Sequence, residues 1–239
     1  ISSVGGSLRR RGSIMGDVIN SGPVFKQAAD PNLSGPGYLT FAQSVKNRPA
    51  MIYVGANDGM MHAFRASDGK ELFAYVPRAV ATHLNKLTHP NYTHRPYVDG
   101  VPQIGEAQVG SSWKTLLVSG MGGGAQGVFA LDVSYPTTFG VGNVMFEFTD
   151  ANDPDMGNVL TQPTLVKLKV PGATASDPVT YKWFVAMGSG YNNYKVDGAA
   201  SSTGAQAMFF LSVDKAASAA WAEGTNYFKV VLPVSSTST

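Results

Sequence analysis

Hydrophobic residues along this chain repeat one pattern three times. Met51-Ile52-Tyr53-Val54-Gly55, Leu116-Leu117-Val118-Ser119-Gly120 and Trp183-Phe184-Val185-Ala186-Met187-Gly188 are β-branched or aromatic runs that break at glycine, with the glycines 65 and 68 residues apart. After each break comes a second apolar run: Met60 to Phe64, Val128 to Val133 and Met208 to Val213. A third run then alternates with period two, at Glu71 to Pro77, Val144 to Thr149 and Tyr227 to Pro233. Upstream of each glycine-ended run lies a further candidate strand marked by proline: Ser21-Gly22-Pro23-Val24-Phe25, Gly100-Val101-Pro102-Gln103-Ile104 and Thr161-Gln162-Pro163-Thr164-Leu165.

The repeating unit is therefore four strands, which predicts an all-β chain of propeller blades spanning approximately 14–77, 97–150 and 159–233. The proline suits the innermost strand, whose ladder is open on one side, and the glycine suits a tight reversal through positive φ. These blades are longer than the usual ~40–50 residues. Insertions supply the excess: Thr82 to Arg95 between blades, Tyr135 to Asn143 within the second, and Asn192 to Ala205 within the third. The last is small and polar, so a mobile hairpin loop is expected there. Helical turns are expected around Arg78 to Leu87, after Pro77, and around the alanine-rich Lys215 to Glu223. Three blades cannot close a ring, since stable propellers need about four to eight, so further blades beyond Thr239 or a partner are expected to complete it. The start at Ile1 and the Ser235 to Thr239 end read as those of a processed fragment or excised piece.

Composition agrees with many short strands joined by tight turns. Of 239 residues, 44% are hydrophobic and only 14% charged, with 27 Gly and 14 Pro. The net charge is +2, and the one cationic run, Arg9-Arg10-Arg11, has no interleaved aromatic residue, so no nucleic-acid partner is expected. Cysteine is absent, which excludes disulfides, thiolate metal sites and cysteine nucleophiles. No stretch reaches the roughly 18 apolar residues of a membrane helix, and no signal peptide opens the chain.

Candidate chemistry is sparse. The acidic run from Asp150 to Gly157 is the best calcium candidate, with Asp150, Asn152, Asp153 and Asp155 as oxygen ligands. Pro154 and Thr161 depart from the calcium-loop template, and the same run also reads as an Asx-rich turn between blades. Asp58, in Asn57-Asp58-Gly59, is read as part of a type I′ hairpin turn and not as a ligand. Gly120 to Gly127 lacks the Lys-Ser or Lys-Thr of a phosphate loop and reads as a strand connection. His83, His89 and His94 share one insertion with Tyr92 and Arg95, at a spacing that fits no compact zinc motif, and suggest an exposed partner-contacting loop. No serine elbow, metalloprotease helix or paired-carboxylate site stands in a supporting context, so no residue is assigned a catalytic role.

The ordered stretches Gly16 to Pro23, Met51 to Pro77 (MIYVGANDGMMHAFRASDGKELFAYVP), Gly120 to Asp132, and Phe148-Thr149-Asp150 through Gly157 to Pro163 resemble the PilC/PilY family of type IV pilus biogenesis and tip-adhesin proteins. The resemblance spans roughly residues 12 to 215. It implies a non-enzymatic protein exported through the periplasm to the outer membrane, cell surface or pilus tip. It further implies roles in pilus assembly, in opposing retraction, in adhesion and in twitching motility, with pilin or minor pilins and a host or surface receptor as partners. Calcium, by the same resemblance, would bind in the full-length protein at a loop beyond Thr239. The Asn57-Asp58-Gly59 and Asp68-Gly69-Lys70-Glu71 elements alone also resemble blades of quinoprotein dehydrogenases and of outer-membrane assembly scaffolds, which are the alternatives.

Overall fold

The computed structural model describes residues 8–170, 179–195 and 199–233. They form three four-stranded antiparallel sheets, each built from consecutive strands in sequence order. The first sheet holds β1 (Val24–Lys26), β2 (Met51–Ala56), β3 (Met60–Arg65) and β4 (Glu71–Tyr75). The second holds β5 (Gln103–Val109), β6 (Ser112–Gly120), β7 (Gly127–Asp132) and β8 (Val144–Thr149). The third holds β9 (Thr164–Val170), β10 (Thr180–Gly188), β11 (Ala207–Ser212) and β12 (Tyr227–Val231). These are the repeats expected from the pattern, and they do not close a ring. Pro23, Pro102 and Pro163 each stand one residue before their strand, where the missing N–H costs no ladder bond.

Period-two alternation explains how the sheets stack. On the second sheet, Leu117, Phe129, Leu131 and Val133 pack with Met51, Tyr53, Met61 and Ala63 of the first. The intervening Leu116, Val118, Val128 and Ala130 pack the opposite way, with Trp183, Val185, Phe209 and Leu211 of the third. Each Val, Leu, Met or Phe among them, fully removed from water, stabilises by about 1.5–3 kcal/mol before entropy is set against it. Trp113 and Trp183 meet edge to face across the second junction at 6.0 Å. On the far face of the third sheet Leu168, Met208, Phe228 and Val230 remain exposed.

Several local expectations change. A helix, α1 (Tyr38–Ser44), lies in the long β1–β2 connection, which the strand pattern left unread. Its Tyr38 and Phe41 are buried, and Tyr38 sits 4.6 Å from Trp113, so packing holds a helix too short to persist alone. Arg78–Ala81 forms the short α2, followed by a 3-10 turn at Leu84–Thr88, as expected after Pro77. Lys215 to Glu223 is not helical. There Lys215 Nζ bonds the carbonyls of Ala216 and Ala219, and Trp221 inserts edge-on between Phe146 and Phe148, donating Nε1–H to Glu147 O at 2.9 Å. Alanine propensity loses to that packing. The expected mobile hairpin at Asn192 to Ala205 lies partly outside the described residues; in the described part Asn193 is buried and donates to Ala205 O at 2.9 Å.

The turn after β2 is also different. Ala56 pairs with Met60, leaving a three-residue loop in which Gly59 alone takes positive φ, 97°. A type I′ turn needs positive φ at both central residues, and Asp58 does not supply it.

Candidate functional site

The most distinctive geometry lies where one sheet leads into the next. None of Gly55, Gly120 and Gly188 has positive φ, so the reversal argument fails for them. Close approach explains the first two. A Cβ on Gly55 would lie 2.4 Å from Val98 O, and one on Gly120 would lie 2.3 Å from Val159 O. Val98 and Val159 are the lead-in residues of the second and third sheets, so each glycine is the seat for the backbone of the following blade. At Gly188 a Cβ meets nothing within 4 Å. The seats are latched by side chains: Ser21 Oγ accepts Gly55 N–H at 2.9 Å, and Asn20 donates from its backbone and side chain to Asp99 at 3.0 and 2.6 Å. The glycine-rich stretch after Gly120 is a strand connection, held by Met121 N–H to Gly127 O at 3.1 Å and by Asn158 Nδ2–H to Gly122 O at 2.8 Å.

Asp58 has a second role that the turn reading missed. Its side chain is 1% exposed and accepts Gly16 N–H at 2.6 Å and Met60 N–H at 3.2 Å. His62 Nε2 lies 3.1 Å from both Asp58 oxygens, and its Nδ1 lies 2.5 Å from Glu71 Oε1. A carboxylate accepts only, so satisfying both ring nitrogens requires the doubly protonated imidazolium. With both nitrogens held, His62 has no free position to take a proton from a substrate, and the trio acts as an ion-pair hub to which Gly16 is pinned. The available signal was local: His62 is a titratable residue flanked by Met60, Met61, Ala63 and Phe64 in its strand.

Burial alone would lower the His62 pKa, but bonds and charges from Asp58 and Glu71 outweigh it and raise it above its ordinary 6.5. Asp58 is likewise opposed by burial and then carried below its ordinary 3.8 by His62 and the Gly16 N–H. The raised histidine therefore stabilises fully below pH 6.5 and loses its contribution as pH rises through the folded-state value. The lowered aspartate stabilises above pH 3.8 and loses its contribution as pH falls further. Thermal melting should thus decline as pH rises above 6.5, and His62→Gln should flatten that decline. Parallel melting-versus-pH curves for the two proteins would refute the assignment.

The acidic run after β8 is drawn together only in part. Lys229 Nζ sits between Asp153 and Asp155, 2.9 Å from an oxygen of each. Tyr227 Oη donates to Asp153 at 2.9 Å, and Ser201 Oγ donates to Asp155 at 2.5 Å. Asp150 turns away to accept Ala199 N–H at 2.6 Å, while Asn152 Oδ1 accepts Thr149 N–H at 2.9 Å. As arranged, Asp150, Asn152, Asp153 and Asp155 do not fit a calcium ion, because an ammonium group already stands between two of the carboxylates. Among the described residues, no group of three or more His, Cys, Asp or Glu is placed to hold a metal. The cation joins β12 to the inter-blade turn, and the pair of acids holds Lys229 well above the ordinary lysine pKa against the opposing effect of burial.

The histidine-bearing insertion runs along the N-terminal strap. His94 Nε2 lies 2.8 Å from Asp17 Oδ2, Arg9 N–H reaches Thr88 O at 2.9 Å, and the Arg9 guanidinium stacks 3.7 Å above the Tyr92 ring. His94 is thus spoken for by a carboxylate from another segment.

Comparison with known proteins fits this architecture. A family model of the PilY1 beta-propeller domain matches residues 15–220. A type IV pilus biogenesis factor PilY1 homolog of Xylella fastidiosa is 38% identical over 198 residues, covering 78% of this chain and 13% of that protein. The type IV pilus biogenesis factor PilY1 of Pseudomonas aeruginosa is 37% identical over 197 residues, covering 78% of this chain and 16% of that protein. The chain therefore spans only about a sixth or less of these relatives' length. The crystal structure of the Pseudomonas aeruginosa PilY1 C-terminal domain superposes with a TM-score of 0.58 at 30% identity, over 79% of this chain and 34% of that one. With the matched region running from residue 15 through the first two sheets and into the third as far as residue 220, the chain belongs to the PilY1 beta-propeller domain family.

Proposed function

We propose that this chain is propeller scaffold of a type IV pilus biogenesis factor, acting without catalysis at the pilus tip or outer membrane after export. The observation that carries the reading is the family match across residues 15–220 together with buried polar groups that serve blade-to-blade joints, Asp99 and Ser21 at the first and Asn158 at the second. A scaffold needs rigid junctions, and Gly55, Gly120, Ser21 and the Asn20–Asp99 pair supply them. The one buried histidine is locked between two carboxylates, which suits structure and not turnover. On this reading the partners are pilin or minor pilins and a surface receptor, and the protein promotes assembly, opposes retraction and supports adhesion and twitching.

The test is an in-frame deletion of residues 15–220 in the source organism. Loss of surface pili and of twitching is expected, with restoration by the intact gene in trans. Normal piliation and motility in the deletion strain would end the proposal.

A further inference from the structure

Two segments that are far apart in sequence, residues 8–16 and 76–98, contain no Asp or Glu, and the fold lays them side by side. Arg9 fastens the strap through Thr88 O and the Tyr92 ring. A cleft of about 160 Å³ opens beside it, lined by Arg9, Arg10, Arg11, Leu87, Tyr92 and His94, among others. Asp17 is the one carboxylate in its wall, and it faces His94. Among the described residues, the guanidinium groups of Arg10 and Arg11 have no hydrogen-bond, ion-pair or ring partner. Three consecutive arginines line a cleft with a single carboxylate, which leaves a local excess of positive charge that an incoming anion neutralises.

We infer that this cleft is a docking site for an acidic peptide segment of a partner protein, with Arg10 and Arg11 binding its carboxylates. Guanidinium forks match carboxylates two bonds at a time, which suits Asp or Glu side chains. The recess is of side-chain size and has an apolar wall from Leu87 and Met15, so it admits a protruding side chain with its methylene stem. A flat membrane surface cannot enter it. Neither segment alone signals such a site. The arginine run has no aromatic residue in sequence, and the fold brings it Tyr92 from 81 residues' distance along the chain, between Arg11 and Tyr92.

The purified 239-residue protein is titrated into a fluorescein-labelled peptide of alternating Glu and Ser, and anisotropy is read at low and at physiological salt. Saturable binding is expected, weakening with salt because the contacts are solvent-exposed. Arg10→Glu/Arg11→Glu should weaken it about tenfold or more, the scale of losing charge-assisted hydrogen bonds. Lys167→Glu/Lys169→Glu, an equal charge change on exposed positions of β9, should leave binding unchanged. Absent binding, equal weakening by both double variants, or capture by phosphatidylglycerol vesicles without peptide binding would each overturn the inference. Melting curves of both variants confirm that they are folded.

Discussion

Gly120→Ala is expected to destabilise the protein by about 3 kcal/mol or more, whereas Gly188→Ala is expected to stay within about 0.5 kcal/mol of the wild type. Both glycines end the second strand of their sheet, so local propensity treats the two substitutions alike. What differs is the neighbour. A Cβ at Gly120 lies 2.3 Å from Val159 O and 3.0 Å from Val159 Cβ, and backbone cannot swing aside as the tip of a flexible side chain does. The third sheet must therefore lift from its seat, parting the tight stacking of Leu116, Val118 and Val128 on Val185 and Phe209. For a chain of this size the loss corresponds to a fall in melting temperature of roughly 6–12 °C. At Gly188 the added methyl enters open space at an ordinary dihedral. Differential scanning calorimetry of the two variants decides the matter, and equal melting temperatures would show that the seat is not structural. Gly55→Ala should behave like Gly120→Ala, since its Cβ would lie 2.4 Å from Val98 O.

The strand framework was open to sequence reading because its signals are local. Period-two alternation, proline one residue ahead of each first strand and glycine at or next to the end of each second strand all act within a few residues. The role of those glycines was not open to it. Positive φ is the usual reason for a glycine at a turn, and here the reason is a carbonyl 43 residues away for Gly55 and 39 away for Gly120, counting to Val98 and Val159. The same holds for the polar joints. Gly16 reaches Asp58 across 42 residues and Lys26 reaches Glu106 across 80, and no propensity encodes such pairs. In the acidic run the carboxylates were visible, but the lysine that neutralises them lies on β12, 74 residues beyond Asp155. The α1 helix did carry a signal, with apolar residues at Tyr38, Phe41 and Val45, all of them buried. Its seven residues fall below the length at which that pattern stands out from loop.

Arg48→Met is expected to cost about 3–5 kcal/mol, the other large effect, because it takes one of two cations from a buried carboxylate and leaves buried carbonyls without their donor. Arg48 belongs to the long connection before β2 and is 8% exposed. Its guanidinium spans the first junction, donating to Gln27 O and Ala28 O on its own side and to Thr115 Oγ1 at 2.7 Å and Ser134 O at 3.3 Å on the other. It also lies 3.5 Å from Glu106 Oε1, whose side chain is 0% exposed. Glu106 receives Lys26 Nζ at 2.8 Å and Thr115 Oγ1–H at 3.1 Å as well. Two cations thus compensate one anion in a site closed to water, and burial presses the arginine toward neutrality while Glu106 opposes it. Removing Arg48 leaves Glu106 with a single cation and orphans the two carbonyls on the blade-one side. Glu106→Gln keeps the shape and removes the charge, so Arg48→Met/Glu106→Gln should cost clearly less than the sum of the two single changes. Residues sharing one buried network are coupled by about 0.5–3 kcal/mol, and chemical denaturation of the four proteins measures that coupling. Strict additivity would mean that Arg48 and Glu106 contribute separately to the first junction.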